Sequence, residues 1–306
     1  MDTWLCIADY VSFKLCGSRC MERSLAARTG VLDYRTDTWS DEILKMAGID
    51  GEKLPRLVHG GERLGEVTIQ AANDTGLPPG LPVFAGGHDH ICASFATGVW
   101  DPGTVMDSSG TTEVVVKPEP IKANTLEAGK RGFNVGPHVY PHSCYIMGGI
   151  PASGVSVDWY QREFHGSSPQ RTEIGGLIYL PHLRGSSSPT RDPRSKGAFL
   201  GITDRYENSD FMQAVYEGVA FELKQTIEGM GKGLKKIIGV GGGYQNDRWT
   251  QIKADVIQTE IVLPSIKEAT AVGAALLAGI GSGMFPTAED ALHKTFRIEK
   301  KFVPNY

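Results

Sequence analysis

One carboxylate and one hydroxyl-rich turn are the residues of this 306-residue chain that are best suited to chemistry. Asp89 follows an apolar strand expected over 83–85 and the pair Gly86-Gly87, so it is predicted to open a short helix. A carboxylate in that place can accept a proton from a substrate hydroxyl. The turn over 108–112, Ser-Ser-Gly-Thr-Thr, lies between two expected strands, and its backbone N–H groups could hold an anion.

Both features also have a simpler interpretation. Asp89 could only cap its helix, because a carboxylate oxygen accepts an unpaired N–H of the first turn. Ser, Gly and Thr suit any tight hairpin. His88 and His90 flank Asp89, so a metal-dependent hydrolase built on these three residues is an alternative. Residues two apart on a helix point in different directions, however, and no Cys or carboxylate cluster completes a ligand set. No metal-ligating residue is therefore predicted.

Two glycine-containing segments further along the chain could also approach a ligand. Gly154 is predicted to open a buried helix. The run 241–243 is a triple-glycine turn after an apolar strand, and Asn246 or Asp247 is expected to cap the helix that follows over 248–259. The triple glycine lacks the G-x-G-x-x-G spacing and the ribose-binding acid of a dinucleotide fold, which makes that fold an unlikely explanation.

Composition limits the possible classes of protein. With 41% hydrophobic and 22% charged residues the chain can bury a large core, as one large or two medium domains. A net charge of -4 gives no sign of a nucleic-acid surface. The five cysteines lack metal-type pairing, which favours a reduced cytoplasmic protein. No apolar run reaches about 18 residues, so no membrane span is expected.

The first hundred residues read as helical segments separated by turns. Apolar residues at helical spacing predict a helix over 4–15, and Ser40 is a good cap for a helix over 41–47. Two charged residues here, Asp9 and Arg28, could belong to a site. Exposed charge or an internal ion pair is the simpler expectation for both of them.

Taken together, the segments GGHDH, DSSGT, SLAARTGVLD and EATAVGAA resemble the FGGY family of carbohydrate kinases. The resemblance implies an α/β fold of the ribonuclease H-like, actin-like ATPase type. Residues 1–99 would form part of the N-terminal lobe, on the sugar side, and 100–306 the C-terminal nucleotide-binding lobe. It also implies that the chain lacks the start of the first lobe, with its D-x-G-(T/S) phosphate hairpin, and the C-terminal end.

The resemblance further implies a reaction: Mg²⁺-dependent transfer of the ATP γ-phosphoryl group to a hydroxyl of a small sugar or polyol. Such a transfer needs mainly positioning, charge stabilisation and one proton acceptor. The alternative is a non-catalytic nucleotide- or sugar-binding remnant of a kinase, and an incomplete lobe would favour homo-oligomers. The implied roles are general base for Asp89, phosphate binding for Gly110 and Thr111, approach to the phosphates for Gly154, and adenosine binding for Gly242, Gly243 and Asn246.

Overall fold

The computed structural model describes residues 3–123, 125–166 and 176–305, and it shows an α/β protein. Its helices are α1 (Ile7–Cys16), α2 (Arg23–Ala26), α3 (Asp41–Ala47), α4 (Ile69–Thr75), α5 (Asp89–Ala96), α6 (Leu126–Lys130), α7 (Gly154–Phe164), α8 (Asn208–Gly229), α9 (Asp247–Ile257), α10 (Ala269–Gly281) and α11 (Ala288–Thr295). Its strands are β1 (Cys20–Glu22), β2 (Leu32–Asp33), β3 (Thr38–Trp39), β4 (Arg56–Val58), β5 (Arg63–Glu66), β6 (Pro82–Phe84), β7 (Thr104–Ser109), β8 (Glu113–Pro120), β9 (Asn134–Pro137), β10 (Ser143–Ile150), β11 (Ile178–Leu180), β12 (Ala198–Leu200), β13 (Lys236–Val240), β14 (Ile261–Pro264) and β15 (Ile298–Phe302).

A seven-stranded mixed sheet built from residues after 103 forms the centre of the molecule. Its strand order is β15-β14-β13-β7-β8-β10-β9. Strands β14, β13 and β7 run parallel. Strands β8, β10 and β9 continue the sheet from β7 by antiparallel pairing, and β15 pairs antiparallel with β14 at the other edge. Strand β7 is therefore where the parallel half of the sheet meets the antiparallel half, and the hairpin that follows it lies at that junction.

Both faces of this sheet are covered by helices. Neighbouring residues of one strand point to opposite faces, so Val105 packs in the cluster with α8 and α9, and Met106 packs in the cluster with α5 and α10. Ile237 and Ile238 of β13 divide in the same way. Burial on both faces explains why these strands read as continuous apolar runs rather than as alternating ones.

The first hundred residues form smaller units. Strands β1 and β4 pair in parallel, while β2 pairs with β3 and β5 with β6 in antiparallel two-stranded sheets. Helix α1 begins at Ile7 rather than at Trp4, and the apolar face that predicted this helix is largely exposed, with Ile7 80% accessible. The periodicity therefore located the helix, but the described residues do not cover its apolar face.

Helix ends follow the predicted chemistry. The Ser40 side chain accepts the Ile43 N–H at the start of α3, and Asn246 accepts the Trp249 N–H at the start of α9. These contacts confirm both predicted caps. The small residues of α10 let it pack closely on α5, because a side chain at Gly273 would collide with the Cys92 carbonyl oxygen. Within the part of the chain described here, no helix is long and apolar enough to cross a membrane.

Candidate active site

Asp89 is the first residue of α5 and does not cap it. The cap position belongs to His88, and the Asp89 Oδ1 atom accepts the N–H of the adjacent His90 at 2.7 Å. The interpretation of Asp89 as a plain N-cap is therefore wrong, because its carboxylate does not reach the N–H groups one turn into the helix. Its side chain is 64% accessible and available to a ligand.

His88 keeps the Asp89 carboxylate ionised. The Nδ1 atom of His88 lies 3.0 Å from Asp89 Oδ1. This contact holds the pKa of the Asp89 carboxyl well below its usual range, although partial burial acts in the opposite direction. Burial lowers the pKa of His90, although the charge of Asp89 acts to raise it. Asp89 can therefore accept a proton at neutral pH.

Asp89 lines a cleft of about 600 Å³. Helices α1, α5 and α10 and strand β1 contribute to its walls, together with the Gly86-Gly87 turn. The polar residues at its surface include Asp9, Glu22 and Thr270. The Thr270 hydroxyl donates to the Asp89 carbonyl at 3.2 Å, so α10 also holds the start of α5 in place. A cleft of this size with carboxylates at its surface could accommodate a small polyhydroxylated molecule.

Glu22 anchors the turn that carries Asp89. Glu22 is fully buried, and its Oε2 atom accepts hydrogen bonds from the backbone N–H and the hydroxyl of Ser24. The Ser24 hydroxyl in turn accepts the His88 N–H at 2.8 Å. Burial raises the pKa of Glu22 to about 8, so this carboxyl is largely protonated at neutral pH. A hydrogen-bond chain thus runs from the cleft floor to the residue before Asp89.

Asp9 is buried, and within the described residues no ion pair is found for it, so neither of the two simpler expectations holds. Its Oδ1 atom accepts the Glu22 N–H at 3.2 Å, while Oδ2 has no hydrogen-bond partner within the described residues. Burial raises the pKa of Asp9 to about 6. Asp9 is the buried residue of α1, and it lines the cleft beside Ala8 and Ser12 of the same helix. Arg28, in contrast, is exposed as expected.

Backbone hydrogen bonds join the turn after strand β7 to the start of α7. Strands β7 and β8 pair up to Ser109 and Glu113, which leaves an exposed turn of Gly110, Thr111 and Thr112. The N–H of Gly154 donates to the Gly110 carbonyl at 3.0 Å, and the next N–H of α7 donates to the Thr111 carbonyl at 3.1 Å. Only glycine fits at 154, because a Cβ there would collide with the Gly110 carbonyl.

The triple-glycine turn packs against the same hairpin from the other side. A Cβ at Gly243 would collide with the Ser109 hydroxyl, so the glycine permits a backbone-to-side-chain approach. A Cβ at Gly242 would meet no atom within 4 Å, which leaves its outer side open to a ligand. Asn246 caps α9 and also donates from Nδ2 to the Tyr216 hydroxyl at 2.9 Å. The structure thus brings Gly110, Thr111, Gly154 and Gly243 together. Asp89 is not part of this group and lines the cleft described above.

A buried charged cluster lies beneath these three segments, and the sequence reading missed it. Lys253 of α9 lies 2.7 Å from Glu113 and 3.6 Å from Asp107, and all three side chains are buried. Burial raises the pKa of Asp107 well above its ordinary value, and the charge of Glu113 raises it further. Burial also acts to raise the pKa of Glu113, but Lys253 keeps it below its ordinary value. The pKa values of the two carboxyls are therefore pushed in opposite directions, and Glu113, which lies closer to Lys253, is the one whose ionised form is favoured.

Local signals for this cluster exist in the sequence. Asp107 directly follows the apolar pair Val105-Met106, and Glu113 directly precedes the apolar run 114–116. Lys253 lies four residues after Trp249 and four before Ile257, on the buried face of α9. Charged residues at buried positions are rarely tolerated unless they pair, so their coincidence is informative.

The alternative of a metal site at His88, Asp89 and His90 can be compared with the positions of their side chains. The rings of His88 and His90 lie 5.8 Å apart by their centroids. Across the described ranges, no group of three or more His, Cys, Asp or Glu side chains is arranged to hold a metal ion.

Comparison with known proteins identifies a family. The model of the N-terminal domain of the FGGY family of carbohydrate kinases matches residues 1–96, and the model of the C-terminal domain matches residues 105–282. The xylulose kinase of Bacillus subtilis (strain 168) is 32% identical over 309 residues, which cover 97% of this chain and 61% of that protein. The autoinducer-2 kinase of Yersinia enterocolitica is 26% identical over 326 residues, which cover 98% of this chain and 61% of that protein.

The fold is shared with solved structures as well. The crystal structure of xylulose kinase from Rhodospirillum rubrum matches with a TM-score of 0.87 at 26% identity, covering 100% of this chain and 64% of that one. The chain thus spans less than two thirds of the length of these relatives. It has their α/β fold of the ribonuclease H-like, actin-like ATPase type, and it belongs to the FGGY family of carbohydrate kinases.

Proposed function

We propose that this chain carries the phosphoryl-transfer site of an ATP-dependent carbohydrate kinase, with Asp89 as the general base. The observation that carries the proposal is the ionised, accessible carboxylate of Asp89, which lines the 600 Å³ cleft. In this proposal residues 1–99 form the sugar side of the site and residues 100–306 form the nucleotide side. The acceptor is a hydroxyl of a small sugar or polyol, and the reaction takes place in the cytoplasm.

An ionised base with a low pKa suits phosphoryl transfer. The transition state of phosphoryl transfer is loose in most enzymes, so the substrate hydroxyl loses its proton late in the reaction. The base that receives this proton must above all be well positioned and unprotonated. The His88 contact keeps Asp89 in that form. The bonds from Ser24 to the His88 backbone and from Thr270 to the Asp89 carbonyl hold the backbone that carries it. Positioning of this kind accounts for much of enzymatic rate acceleration.

The nucleotide side of the proposal rests on the hairpin and its glycine neighbours. Gly110 and Thr111 would hold phosphate oxygens through an exposed turn, with Gly154 packed directly behind them. Gly242, whose outer side is open, would face adenosine together with Gly243 and Asn246. The residues fit a nucleotide because backbone groups can approach phosphate and ribose where no side chain intervenes. When bound, ATP would supply the phosphoryl group, and Mg²⁺ would enter with its phosphates.

A sugar-panel assay with one substitution tests the proposal. The panel includes xylulose, since one relative is a xylulose kinase. Asp89→Asn keeps the size and the acceptor atom for His90 while removing the base. We expect its kcat to fall by roughly 10²- to 10⁴-fold at an unchanged unfolding midpoint. Asp74→Asn, an exposed change on α4 away from the cleft, is the matched control and should retain turnover.

The outcomes separate the two hypotheses. Turnover that survives Asp89→Asn would contradict the base role. Saturable Mg·ADP binding by the unaltered chain without phosphotransfer to any sugar of the panel would favour the non-catalytic binding remnant. Absence of both binding and turnover would reject the proposal for this chain.

The pH dependence gives a second test of the base. A general base must be unprotonated, and the pKa of Asp89 is lowered. We therefore expect kcat/KM to show no acid limb from Asp89 between pH 7 and about 5, since even an ordinary Asp titrates near about 3.9. His88→Ala removes the main cause of the lowered pKa, so in profiles extended below pH 5 its acid limb should lie at higher pH than that of the unaltered protein. Identical profiles for the two proteins would show that His88 does not tune Asp89.

A further inference from the structure

The buried Lys253 lies where three ligand-facing segments of the C-terminal part meet. Its Nζ atom donates to the Ser109 hydroxyl at 3.0 Å and to Glu113 Oε1 at 2.7 Å. These two residues are the last pair of the β7–β8 ladder before the Gly110–Thr112 turn. The lysine head group therefore contacts both strands of the hairpin at its base.

The same cluster reaches the start of α7 through Glu113. The second oxygen of Glu113 accepts the hydroxyl of Ser153, which is the residue directly before Gly154. It also accepts the Ser109 hydroxyl at 3.2 Å. One carboxylate thus connects the hairpin to the residue that leads into α7.

The triple-glycine turn is connected through Asp107. The hydroxyl of Tyr244, within the 3-10 turn Gly242–Gln245, donates to Asp107 Oδ2. Asp107 lies 3.6 Å from Lys253 on strand β7. The Nζ atom of Lys253 also stands 4.6 Å from the centre of the Tyr244 ring and 4.7 Å from that of Trp249, at cation–π distance.

We propose that Lys253, Glu113 and Asp107 form a positioning cluster that fixes the hairpin, the start of α7 and the triple-glycine turn relative to one another. None of the three side chains needs to touch a ligand, because they lie below the segments that do. The consequence for nucleotide binding rests on the proposed function, but the positioning itself does not. Such a cluster would preorganise three separate stretches of chain as a single binding surface.

Electrostatics explains why the cation is needed. Without Lys253, two carboxyls would share a fully buried site with no positive charge, and burial of an unpaired charge is strongly unfavourable. The site would have to take up a proton or open toward water. The ionisable groups that face one another here are Asp107, Glu113, Tyr244 and Lys253. Opening would release the bonds to Ser109, Ser153 and Tyr244, which hold the three segments.

Hydrogen exchange of the ligand-free protein tests the positioning directly. We expect Lys253→Met to speed amide exchange by about tenfold or more at the Gly110–Thr112, Gly154–Val155 and Gly242–Tyr244 segments. Amides of α5 and α10 that exchange by local opening should keep their rates, whereas amides that exchange only by global unfolding report the overall loss of stability. A variant that speeds exchange equally everywhere, or in none of these three segments, would overturn the proposal.

Lys117→Met is the matched control. Lys117 is also a buried lysine, it lies on β8 like Glu113, and it pairs with Glu119 at 2.7 Å. Its Nζ atom donates to the Met230 carbonyl at 3.2 Å, after the end of α8, and not to the hairpin turn. We expect this variant to leave exchange at the three segments unchanged. Acceleration there equal to that of Lys253→Met would show a general effect of losing a buried lysine.

Two further variants keep the test decisive. Lys253→Met/Glu113→Gln removes both charges, and a glutamine can still accept the Ser153 and Ser109 hydroxyls, so most of the lost protection should return. If Lys253→Met does not fold, Ser153→Ala breaks only the bond to Glu113. It should speed exchange at Gly154–Val155 more than at the triple-glycine turn. No change at Gly154–Val155 in this variant would overturn the proposal.

Calorimetry with Mg·ADP measures the functional consequence. If the binding-competent arrangement falls to about a tenth of the population, the apparent Kd rises about tenfold. We expect that rise for Lys253→Met and none for Lys117→Met. Altered exchange together with unchanged affinity would overturn the preorganisation step. If the unaltered chain does not bind Mg·ADP, the proposed nucleotide site fails, whereas the exchange data still decide whether the cluster positions the segments.

Discussion

Two pairs of carboxyl groups are buried in this protein, and the unfavourable burial of their negative charge is offset in different ways. Asp9 and Glu22 lie at the cleft that Asp89 lines, and no ion pair joins either of them to a cation within the described residues. Asp107 and Glu113 lie beneath the hairpin and enclose Lys253. In the first pair burial raises both pKa values, to about 6 for Asp9 and about 8 for Glu22, so that Glu22 keeps its proton at neutral pH. In the second pair the lysine compensates the carboxyl charge.

The difference follows from what each pair has to do. A carboxyl that is neutral or half-ionised can exchange protons and hydrogen-bond partners with a ligand in an open cleft. A carboxylate locked to a lysine fixes its neighbours, which suits a structural junction. If the cleft receives substrate as proposed, acids that hold their protons lie at the substrate surface, and acids that pair with a cation lie below the segments proposed to bind nucleotide.

Removing the cation should break the second pair and give the largest effect on stability. Breaking a buried ion pair by deletion of one partner typically destabilises a protein by about 3–5 kcal/mol. We expect Lys253→Met to lower the free energy of unfolding in urea by that order. The double variant Lys253→Met/Glu113→Gln should recover a large part of the loss. A loss below about 1 kcal/mol would mean that protonation of both carboxyls replaces the lysine at little cost.

The raised pKa of Glu22 should make the stability of the protein depend on pH. The native state keeps the Glu22 proton up to about pH 8, whereas the unfolded chain releases it near 4.5. The stability that Glu22 contributes is therefore complete below about 4.5 and is lost as the pH rises to about 8. From pH 5 to 8 we expect the unaltered protein to lose roughly 3 kcal/mol relative to Glu22→Gln, at about 1.4 kcal/mol for each unit of raised pKa.

Urea unfolding at several pH values measures this difference. Subtracting the Glu22→Gln curve removes the contributions of the other carboxylates. Parallel curves would show that Glu22 is not protonated in the native state. They would also weaken the contrast between the two acid pairs.

Sequence reasoning located most of the local structure. The order of strand, glycine turn, helix and hairpin around Asp89 was predicted, as were the Ser40 and Asn246 caps, because these features depend on neighbouring residues. Family membership and fold also followed from the motifs. The assigned ligand roles of Gly110, Thr111, Gly154, Gly242, Gly243 and Asn246 stay predictions.

The errors concern burial and pairing, which depend on residues far apart in the chain. Asp9 was expected to be an exposed charge or part of an internal ion pair, but it is buried and its partner is the Glu22 backbone N–H, thirteen residues away. Lys253 and Glu113 are 140 positions apart, so no local pattern could join them. The N-cap interpretation of Asp89 failed by one residue, because cap and first helical positions are hard to distinguish without the backbone angles.

Substitution of Asp9 should give the smallest change in the free energy of unfolding. Whether that change is a gain or a loss distinguishes the two acid pairs most clearly. The Asp9 pKa of about 6 lies above the ordinary 3.8, so the stability that Asp9 contributes is present below about pH 4 and is lost by about pH 6. Asp9→Asn keeps the acceptor for the Glu22 N–H and removes the charge. We expect it to stabilise the protein at pH 8 by about 1 kcal/mol, a value reduced because water reaches this carboxyl through the cleft. Urea unfolding at pH 8 should show the gain, and at pH 4 no difference. A loss of stability at pH 8 would mean that the ionised form is favoured, which would place Asp9 with the acids that pair with a cation.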